Sequence, residues 1–464
     1  MALPPVASAV ILIGPLKFRP QVRTKPPPAS FGTLGATAIM FAFHRDDSQQ
    51  LCVDGLSLAD ITASYGSPLY VYSGSGITEA FTQFQAAVAP VSGKVHFAMK
   101  ANSTLGVLAL IGRLGGGMDI VSSGELARAQ AAGIDPADVV FSGVGKTDDD
   151  IRQALACGIG QINAESVPEV SAIGAIAADM GVLAPVALRV NVDVNPGTHA
   201  KISTGQRDTK FGISTNKREA SDLYRVLCDD PHIQPAGLAV HIGSQICNLA
   251  PFEAAYSALL TLANELRNAG MPVPNLDLGG GVGVDYNMAV PTDFTAYGKL
   301  VERLFKDQGF TFGFEPGRAI IANSGVLVTK VIYVKQGDNK RFVIVDAAMN
   351  DLLRPTLYEA HHAIWPIAAP QPSIGKADIV GPVCETGDYL GLDRDMPNLT
   401  NGDALAVMSA GAYGAVMASS YNSRSPAAEV MVLDGKAYLL RGARPIAEII
   451  NDESVPDFTA ATKD

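Results

Sequence analysis

The chain has 464 residues, of which 35 are Lys or Arg and 46 are Asp or Glu, so its formal net charge is −11. With 47% hydrophobic and only 17% charged residues, the composition is that of a packed globular protein and excludes a disordered or fibrous one. The acidic balance and the lack of any Lys/Arg-rich run argue against nucleic-acid binding. The length predicts at least two domains, and small molecules are the expected partners.

The cysteines and the apolar segments indicate the cellular setting. The five cysteines are odd in number and widely spaced, so neither a disulfide framework nor a zinc site is predicted, and a reducing cytoplasm is expected. The longest apolar run, 10–13, is far shorter than the roughly 20 residues of a membrane span, so no membrane anchor is predicted. Residues 1–39 are proline-rich and contain no acidic residue. We interpret them as a disordered extension; a targeting peptide and a translation start at Met40 are the alternatives.

The elements in chain order predict two architectures. Residues 40–79 contain one strand-like run, 68–72. From about 93 to 318, short β-branched runs alternate with longer helical segments, which is typical of repeated βα units. Eight strands are predicted, at 95–99, 118–121, 139–142, 160–164, 186–192, 237–242, 275–278 and 311–315. Helices are predicted between them at 124–132, 148–156, 167–180, 252–269 and 293–307.

Eight strands with intervening helices predict an α/β fold with a (β/α)8 barrel over residues 80–319. The alternative, an open doubly wound sheet, usually has fewer strands. After residue 320, consecutive β-type runs separated by Gly, Asn and Asp turns predict an all-β domain over 320–464. Its strands are expected at 326–334, 341–345, 377–380, 404–409, 429–433 and 437–441, and residues 40–79 are expected to join it.

Polar and ionisable residues stand where the predicted barrel strands end. The active site of a barrel lies at the carboxyl ends of its strands. Ending a strand does not by itself require a lysine, an arginine, a histidine or a glutamate. We therefore expect these residues to form a functional rim around the mouth of the barrel. Its residues are Lys100, Asp119, Ser122, Ser142, Asn163, Arg189, His241, Ser244, Gly279, Gly280, Gly281, Glu315 and Arg318.

Several of these residues suggest a chemistry, each with a simpler alternative. Lys100 is a candidate Schiff-base lysine whose pKa is lowered by partial burial and nearby cations; otherwise it is a surface lysine. The glycine run after the seventh strand can approach a phosphate or make a tight turn. Glu315 and Arg318, in the sequence EPGR, either form an ion pair or serve as a cavity carboxylate and an anion-binding arginine. His241 either lies against a planar ligand or is a core histidine.

Six motifs, in their order and spacing, resemble the fold-type III pyridoxal-phosphate decarboxylases and most closely the diaminopimelate decarboxylases. They are HFAMKAN, HIGS, LDLGGG, EPGR, CETGD and GAYGAVMASSYNSR, and the resemblance runs from about residue 54 to 450. The stretch THAKISTG at 198–205, followed by KFG at 210–212, resembles the diaminopimelate branch. The resemblance implies decarboxylation of meso-diaminopimelate to L-lysine and CO2, the last step of lysine biosynthesis.

The resemblance also implies how pyridoxal 5'-phosphate is held. Lys100 would bind the cofactor covalently, His241 would stack on its ring, and Glu315 would keep the pyridine nitrogen protonated. The related alanine racemases have an arginine in place of this glutamate, so Glu315 favours decarboxylation. The phosphate would be held by Ser244, Gly280, Gly281, Gly317 and Tyr413, and further cofactor contacts are expected from Asp119, Arg189 and Arg318.

Meso-diaminopimelate carries a second amino acid group at its far end, so its site needs a cation and an anion there. The resemblance supplies Arg318, Arg354 and Tyr358 for the carboxylate and Glu385 for the ammonium, with Tyr413 also at the substrate. Cys384 would donate a proton to the α-carbon. In this family the Cys-Glu loop reaches the active site of the partner subunit, which implies a homodimer with shared active sites.

Three other functions are considered. A decarboxylase for another basic amino acid or for carboxynorspermidine would depend little on Arg354. A cofactor carrier without activity would need neither Cys384 nor Glu385. A metal-dependent barrel hydrolase is disfavoured because no His-x-His pair ends a strand, so no metal site is predicted.

Overall fold

The computed structural model describes residues 42–197, 200–202, 204–205, 209–215 and 219–458. The extension predicted for residues 1–39 lies outside this part of the chain, as do residues 198, 199 and 203 of the diaminopimelate-type stretch. Within the described ranges, no helix has the length and apolar character that crossing a membrane requires.

A small antiparallel sheet opens the described chain and leads into two capped helices. Ser57 accepts a hydrogen bond from the N–H of Ala59, and Ser73 accepts one from the N–H of Gly76, so each serine satisfies a free donor at a helix start. The elements are β1 (Phe43–Arg45), β2 (Leu51–Val53), β3 (Leu56–Ser57), α1 (Leu58–Tyr65), β4 (Leu69–Ser73) and α2 (Gly74–Val88).

Eight parallel strands then form a closed barrel. They are β5 (Gly93–Ala98), β6 (Gly117–Ile120), β7 (Val139–Phe141), β8 (Gln161–Ala164) and β9 (Ala184–Asn191), and, after the short β10 (Ile213–Ser214), β11 (Ile233–Ala239), β12 (Asn275–Asp277) and β13 (Thr311–Phe314). The sheet closes because β13 pairs with β5 and β8 pairs with β9. The predicted (β/α)8 barrel is confirmed, and each predicted strand overlaps an observed one.

Helices follow the strands around the barrel. The predicted bounds of α5 and α6 are confirmed. Helix α5 begins at a capping box formed by Thr147 and Asp150. Helix α6 is capped by Ser166 and ends at Gly181, which has φ 66°. The helices are α3 (Leu105–Arg113), α4 (Ser123–Ala131), α5 (Asp148–Ala156), α6 (Val167–Met180), α7 (Glu219–Asp229), α8 (Leu249–Asn268), α9 (Thr295–Phe305) and α10 (Arg318–Ile321).

A domain made mainly of β-strands follows, as predicted. Its strands form both parallel and antiparallel pairs. It contains β14 (Gly325–Gln336), β15 (Arg341–Val345), α11 (Arg354–Tyr358), β16 (Ile364–Pro366), β17 (Lys376–Val380), β18 (Tyr389–Asp395), β19 (Ala404–Val407), β20 (Ala428–Leu433), β21 (Lys436–Arg441) and α12 (Ile446–Ile450). Strand β4 lies between β14, to which it is antiparallel, and β20, to which it is parallel. The prediction that the N-terminal strand joins this domain is confirmed.

Candidate active site

Lys100 lies in a 3-10 turn, Met99–Ala101, directly after strand β5. Its Nζ is 2.7 Å from Oδ2 of Asp119 on the neighbouring strand β6, and the lysine side chain is 33% exposed while that of Asp119 is fully buried. Burial disfavours the charged amine, but the carboxylates of Asp119 and Glu315 outweigh it and raise the pKa of Lys100. The expected lowering of this pKa is wrong, because the nearest charges are carboxylates and not cations.

Three buried carboxylates, Asp119, Asp277 and Glu315, lie together inside the barrel. Asp277 accepts hydrogen bonds from Asn163 Nδ2 at 3.2 Å and from the N–H of Gly279 at 3.0 Å. Burial and the charges of Asp119 and Asp277 raise the pKa of Glu315 well above its usual range. Asp119 Oδ1 is buried without a partner among the described residues. A cationic group such as a protonated pyridine nitrogen would relieve this repulsion and allow Glu315 to ionise.

The glycines after β12 allow no side chain. A Cβ on Gly280 would lie 2.1 Å from the carbonyl oxygen of Glu315, and one on Gly281, which has φ +111°, would lie 2.6 Å from that of Gly243. Within the described ranges, no acceptor is paired with the N–H of Gly281 or of Gly317. Bare backbone donors of this kind suit a phosphate, so the residues present fit the phosphate end of pyridoxal phosphate.

His241 follows strand β11 and contacts the same glycine loop. Its Nδ1 accepts a hydrogen bond from the N–H of Gly280 at 3.2 Å. Burial, and then the charges of Lys100 and Arg189, lower the pKa of His241 well below its usual value. The ring is therefore neutral, and because Nδ1 is the acceptor we assign the proton to Nε2. A neutral planar ring at this place is consistent with stacking on a flat ligand.

Arg318 is buried at the start of α10 and is held by its neighbours. Its Nε and one terminal nitrogen donate to Ser244 Oγ at 3.3 and 3.0 Å, and its other terminal nitrogen donates to the hydroxyl of Tyr286. The guanidinium carbon is 4.7 Å from the centre of the Tyr413 ring. Tyr413 has φ 56°, and its N–H donates to Ala101 O at 2.8 Å, which ties the β domain to the turn of the lysine.

Arg354 is buried at the start of α11, close to Arg318. Its guanidinium carbon is 5.0 Å from the centre of the Tyr286 ring and 5.9 Å from that of Tyr358. Burial lowers the pKa of Arg354, and the charge of Arg318 adds to the shift. No carboxylate of the described residues is paired with either arginine. Two neighbouring cations without such a counter-ion fit an anionic ligand.

Arg189 is engaged by a different partner. Its guanidinium lies 2.9 Å from Oε1 of Glu165, and its carbon is 4.9 Å from the centre of the Phe211 ring. Ser122, also expected at the rim, instead caps α4 by accepting a hydrogen bond from the N–H of Glu125. The structure therefore explains Arg189 by an ion pair, and its contact with a cofactor stays a prediction.

Cys384 and Glu385 lie in an exposed loop between β17 and β18. The loop is shaped from within the β domain, because the carboxylate of Asp388 accepts the N–H of Val383 at 2.6 Å and that of Met349 at 2.7 Å. Neither Cys384 nor Glu385 makes a contact with the barrel-mouth residues among the interactions of the described chain. Among the described residues, no hydrogen bond or ion pair joins either of them to Lys100.

Sequence reasoning missed Asp277, Tyr286 and His362 as parts of this site. Asp277 had a signal, since it stands two residues before the first glycine of LDLGGG and alternation along the strand turns it inward between two leucines. Tyr286 and His362 had none, because they touch the arginines only through contacts between distant parts of the chain.

Comparisons with known proteins point to the same chemistry. The sequence profile of the pyridoxal binding domain of pyridoxal-dependent decarboxylases matches residues 75–322. A diaminopimelate decarboxylase from Zymomonas mobilis is 48% identical over 408 residues, which are 87% of this chain and 96% of that protein. This chain belongs to the diaminopimelate decarboxylase family.

Further family members agree. The Vibrio cholerae diaminopimelate decarboxylase is 46% identical over 414 residues, 89% of this chain and 99% of that protein. The crystal structure of the Helicobacter pylori enzyme complexed with L-lysine superposes with a TM-score of 0.81 at 38% identity, covering 85% of this chain and 98% of that one. The chain is therefore a pyridoxal-phosphate-dependent decarboxylase, and neither the inactive carrier nor the metal-dependent hydrolase is supported.

Proposed function

We propose that the protein removes CO2 from the D-centre of meso-2,6-diaminopimelate and releases L-lysine. The observation that carries this proposal is the pair Arg318 and Arg354, which lie on the ring of Tyr286 and have no carboxylate partner among the described residues. The far carboxylate of meso-diaminopimelate supplies the missing counter-ion, and Tyr358 borders the same place. Lysine and ornithine carry only an amine at that end, so these arginines would have no ligand.

We infer that Lys100 binds pyridoxal 5'-phosphate covalently. When bound, this cofactor supplies an electron-withdrawing ring that stabilises the negative charge left on the α-carbon as CO2 departs. Glu315 would hold the proton at the ring nitrogen, and its location among other carboxylates supports this role. His241 would cover one face of the ring. Ser244, Gly280, Gly281, Gly317 and Tyr413 would hold the phosphate, and Asp119, Arg189 and Arg318 would complete the cofactor site.

We also propose a homodimer with shared active sites. Glu385 of one protomer would bind the substrate ammonium in its partner's barrel, and the Cys384 thiol would donate a proton to the α-carbon. The support is that this loop is exposed and is anchored by Asp388 in the β domain, not by its own barrel mouth. A partner subunit is a physical way to bring the two residues to a lysine they do not contact within one chain.

We infer that residues 80–319 act as the barrel domain and that residues 40–79 and 320–464 together form the β domain. The pairing of β4 with β14 and β20 supports this division. The cytoplasm is the proposed compartment. All five cysteines are unpaired, which fits a reducing environment.

A substrate comparison tests the proposal. Cofactor-loaded protein is incubated separately with meso-diaminopimelate, L-lysine, L-ornithine and carboxynorspermidine. The CO2 released, the amine product and the configuration of any lysine formed are measured. We expect CO2 from meso-diaminopimelate alone, with L-lysine as the product. Faster CO2 release from ornithine or carboxynorspermidine would contradict the proposed role of the arginine pair, and D-lysine would contradict reaction at the D-centre.

A further inference from the structure

His362 is a fully buried histidine that contacts Arg354. Its Nε2 is 3.3 Å from Nε of Arg354, and its Nδ1 is 2.8 Å from the carbonyl oxygen of Met408. The ring also packs edge to face against Tyr286, with 5.0 Å between ring centres. His362 therefore touches two members of the arginine and tyrosine cluster, and none of the roles described above uses it.

The two hydrogen bonds of His362 fix its tautomer. The Nε–H of an arginine can only donate, so Nε2 of His362 must be the acceptor, and the carbonyl oxygen of Met408 can only accept, so Nδ1 must carry the proton. One neutral tautomer satisfies both bonds, whereas an imidazolium could not accept from Arg354. Burial, and then the charge of Arg354, lower the pKa of His362 to about 3, which agrees with this assignment.

The hydrogen bond from Arg354 to His362 uses the inner nitrogen of the guanidinium. The two terminal nitrogens make no hydrogen bond within the part of the chain that the structure describes. Arg318 differs, because all three of its nitrogens donate to Ser244 or Tyr286. Arg354 is thus the arginine whose paired terminal donors are available in the fork geometry that matches a carboxylate.

We propose that His362 is a positioning residue for substrate selection: it holds Arg354 by its inner nitrogen, so that both terminal nitrogens are presented to the far carboxylate of the substrate. This inference rests on the proposed function and deepens it. Arg354 then makes the main contact with the far carboxylate. Arg318 instead links the cofactor and substrate regions through its hydrogen bonds to Ser244 and Tyr286.

Two amide variants separate the two hydrogen bonds of His362, because each can match only one of the two ring nitrogens. His362→Asn keeps a donor near the Met408 carbonyl but has no acceptor for Arg354, whereas His362→Gln keeps an acceptor near Nε2. His361→Asn changes the neighbouring exposed histidine and serves as the control. For each cofactor-loaded protein, KM and kcat for meso-diaminopimelate are measured, together with the calorimetric affinities for L-lysine and cadaverine, which differ by one carboxylate.

We expect His362→Asn to raise KM about tenfold and to weaken L-lysine binding by a similar factor, because a misplaced guanidinium loses bidentate geometry. Its kcat and its affinity for cadaverine should change less than about threefold, since neither depends on the far carboxylate. His362→Gln should retain most of the preference for L-lysine over cadaverine, and His361→Asn should behave like the wild type.

A parallel loss of L-lysine and cadaverine affinity in His362→Asn, or a glutamine variant as impaired as the asparagine one, would overturn the inference and indicate a purely structural histidine. If His362→Asn fails to fold, the L-lysine to cadaverine ratio of His362→Gln decides: a retained ratio supports the inference and a lost one overturns it. Failure of the wild type to decarboxylate meso-diaminopimelate would contradict the proposed function instead, so the two failures are distinguishable.

Discussion

The amine of Lys100 lies 2.7 Å from the carboxylate of Asp119, whose second oxygen is buried without a partner among the described residues. Lys100 follows strand β5 and Asp119 lies on the neighbouring strand β6, so the ion pair forms at the carboxyl end of the barrel. Asp119 orients the amine of Lys100 and favours its protonated form. Because a protonated amine is not a nucleophile, Asp119 also limits the reactivity of the lysine until a cofactor or substrate changes the local charge.

Asp119→Asn should therefore make the lysine easier to deprotonate. Removing the nearest carboxylate lowers the pKa of Lys100, so attachment of pyridoxal phosphate to the cofactor-free protein should reach its half-maximal rate at a lower pH. The measurement is the growth of cofactor absorbance as a function of pH. Asp138→Asn, which removes the partner of the exposed Lys94, is the control. An unchanged pH midpoint in Asp119→Asn would contradict this account.

Gly280→Ala should weaken cofactor binding and destabilise the protein. The added Cβ would lie 2.1 Å from the Glu315 carbonyl oxygen, a backbone atom that can move only with the strand end. We expect a loss of about 1–3 kcal/mol in the free energy of unfolding, as is usual for overpacking, and a weaker affinity for pyridoxal phosphate. Gly145→Ala is the control, since nothing lies within 4 Å of its Cβ position, and it should be nearly neutral. Equal behaviour of the two variants would refute the close approach.

Local sequence signals predicted most of the fold. The bounds of α5 and α6 could be predicted because serine, threonine and glycine caps mark them. The strand β18, with the sequence YLGLDRD, was not predicted, because it is polar and contains a glycine, and only its pairing with β17 makes it a strand. The place of β4 in the C-terminal sheet was predicted from its pattern, although its neighbours in the sheet were not.

The site was predictable wherever a motif carried it. Lys100, Glu315 and the glycine run end barrel strands, so the strand order places them together. The sign of the pKa shift of Lys100 was not predictable, because it depends on which charges the closed barrel brings near the amine. The contact of His362 with Arg354 was not predictable either, since histidines adjacent in sequence give no indication of which ring is buried.

Arg354→Lys should reduce selection of the substrate more than the rate of reaction. A lysine keeps the charge but cannot form two parallel hydrogen bonds with a carboxylate. We expect KM for meso-diaminopimelate to rise by roughly 10- to 100-fold with a smaller change in kcat. Arg152→Lys, in an exposed ion pair with Asp179, provides the matched control. An Arg354→Lys variant with wild-type KM would support a decarboxylase for a substrate without a far carboxylate.

His362 should also contribute to the pH dependence of stability. The pKa of His362 is about 3 in the folded protein, against 6.5 for a histidine in the unfolded chain. Between these two pH values the unfolded chain binds more protons, so stability rises with pH. The free energy of unfolding should therefore fall, from this residue alone, by about 1.4 kcal/mol per pH unit as pH drops below 6.5. In urea unfolding at pH 7, 6 and 5, the free energy of unfolding should depend less steeply on pH in His362→Asn than in the wild type. The same dependence in both proteins would mean that His362 takes up a proton while folded.

The last prediction concerns Lys100, which we infer carries pyridoxal phosphate for the decarboxylation of meso-diaminopimelate. L-lysine and CO2 formed from meso-diaminopimelate are measured with and without added pyridoxal phosphate in the wild type and in two variants. These are Lys100→Ala and Lys94→Ala, which changes an exposed lysine on strand β5, the strand that precedes Lys100. We expect cofactor-dependent lysine formation by the wild type and by Lys94→Ala, and a loss of about 10³-fold or more in Lys100→Ala. Undiminished, cofactor-dependent lysine formation by Lys100→Ala would show that this lysine does not carry the cofactor.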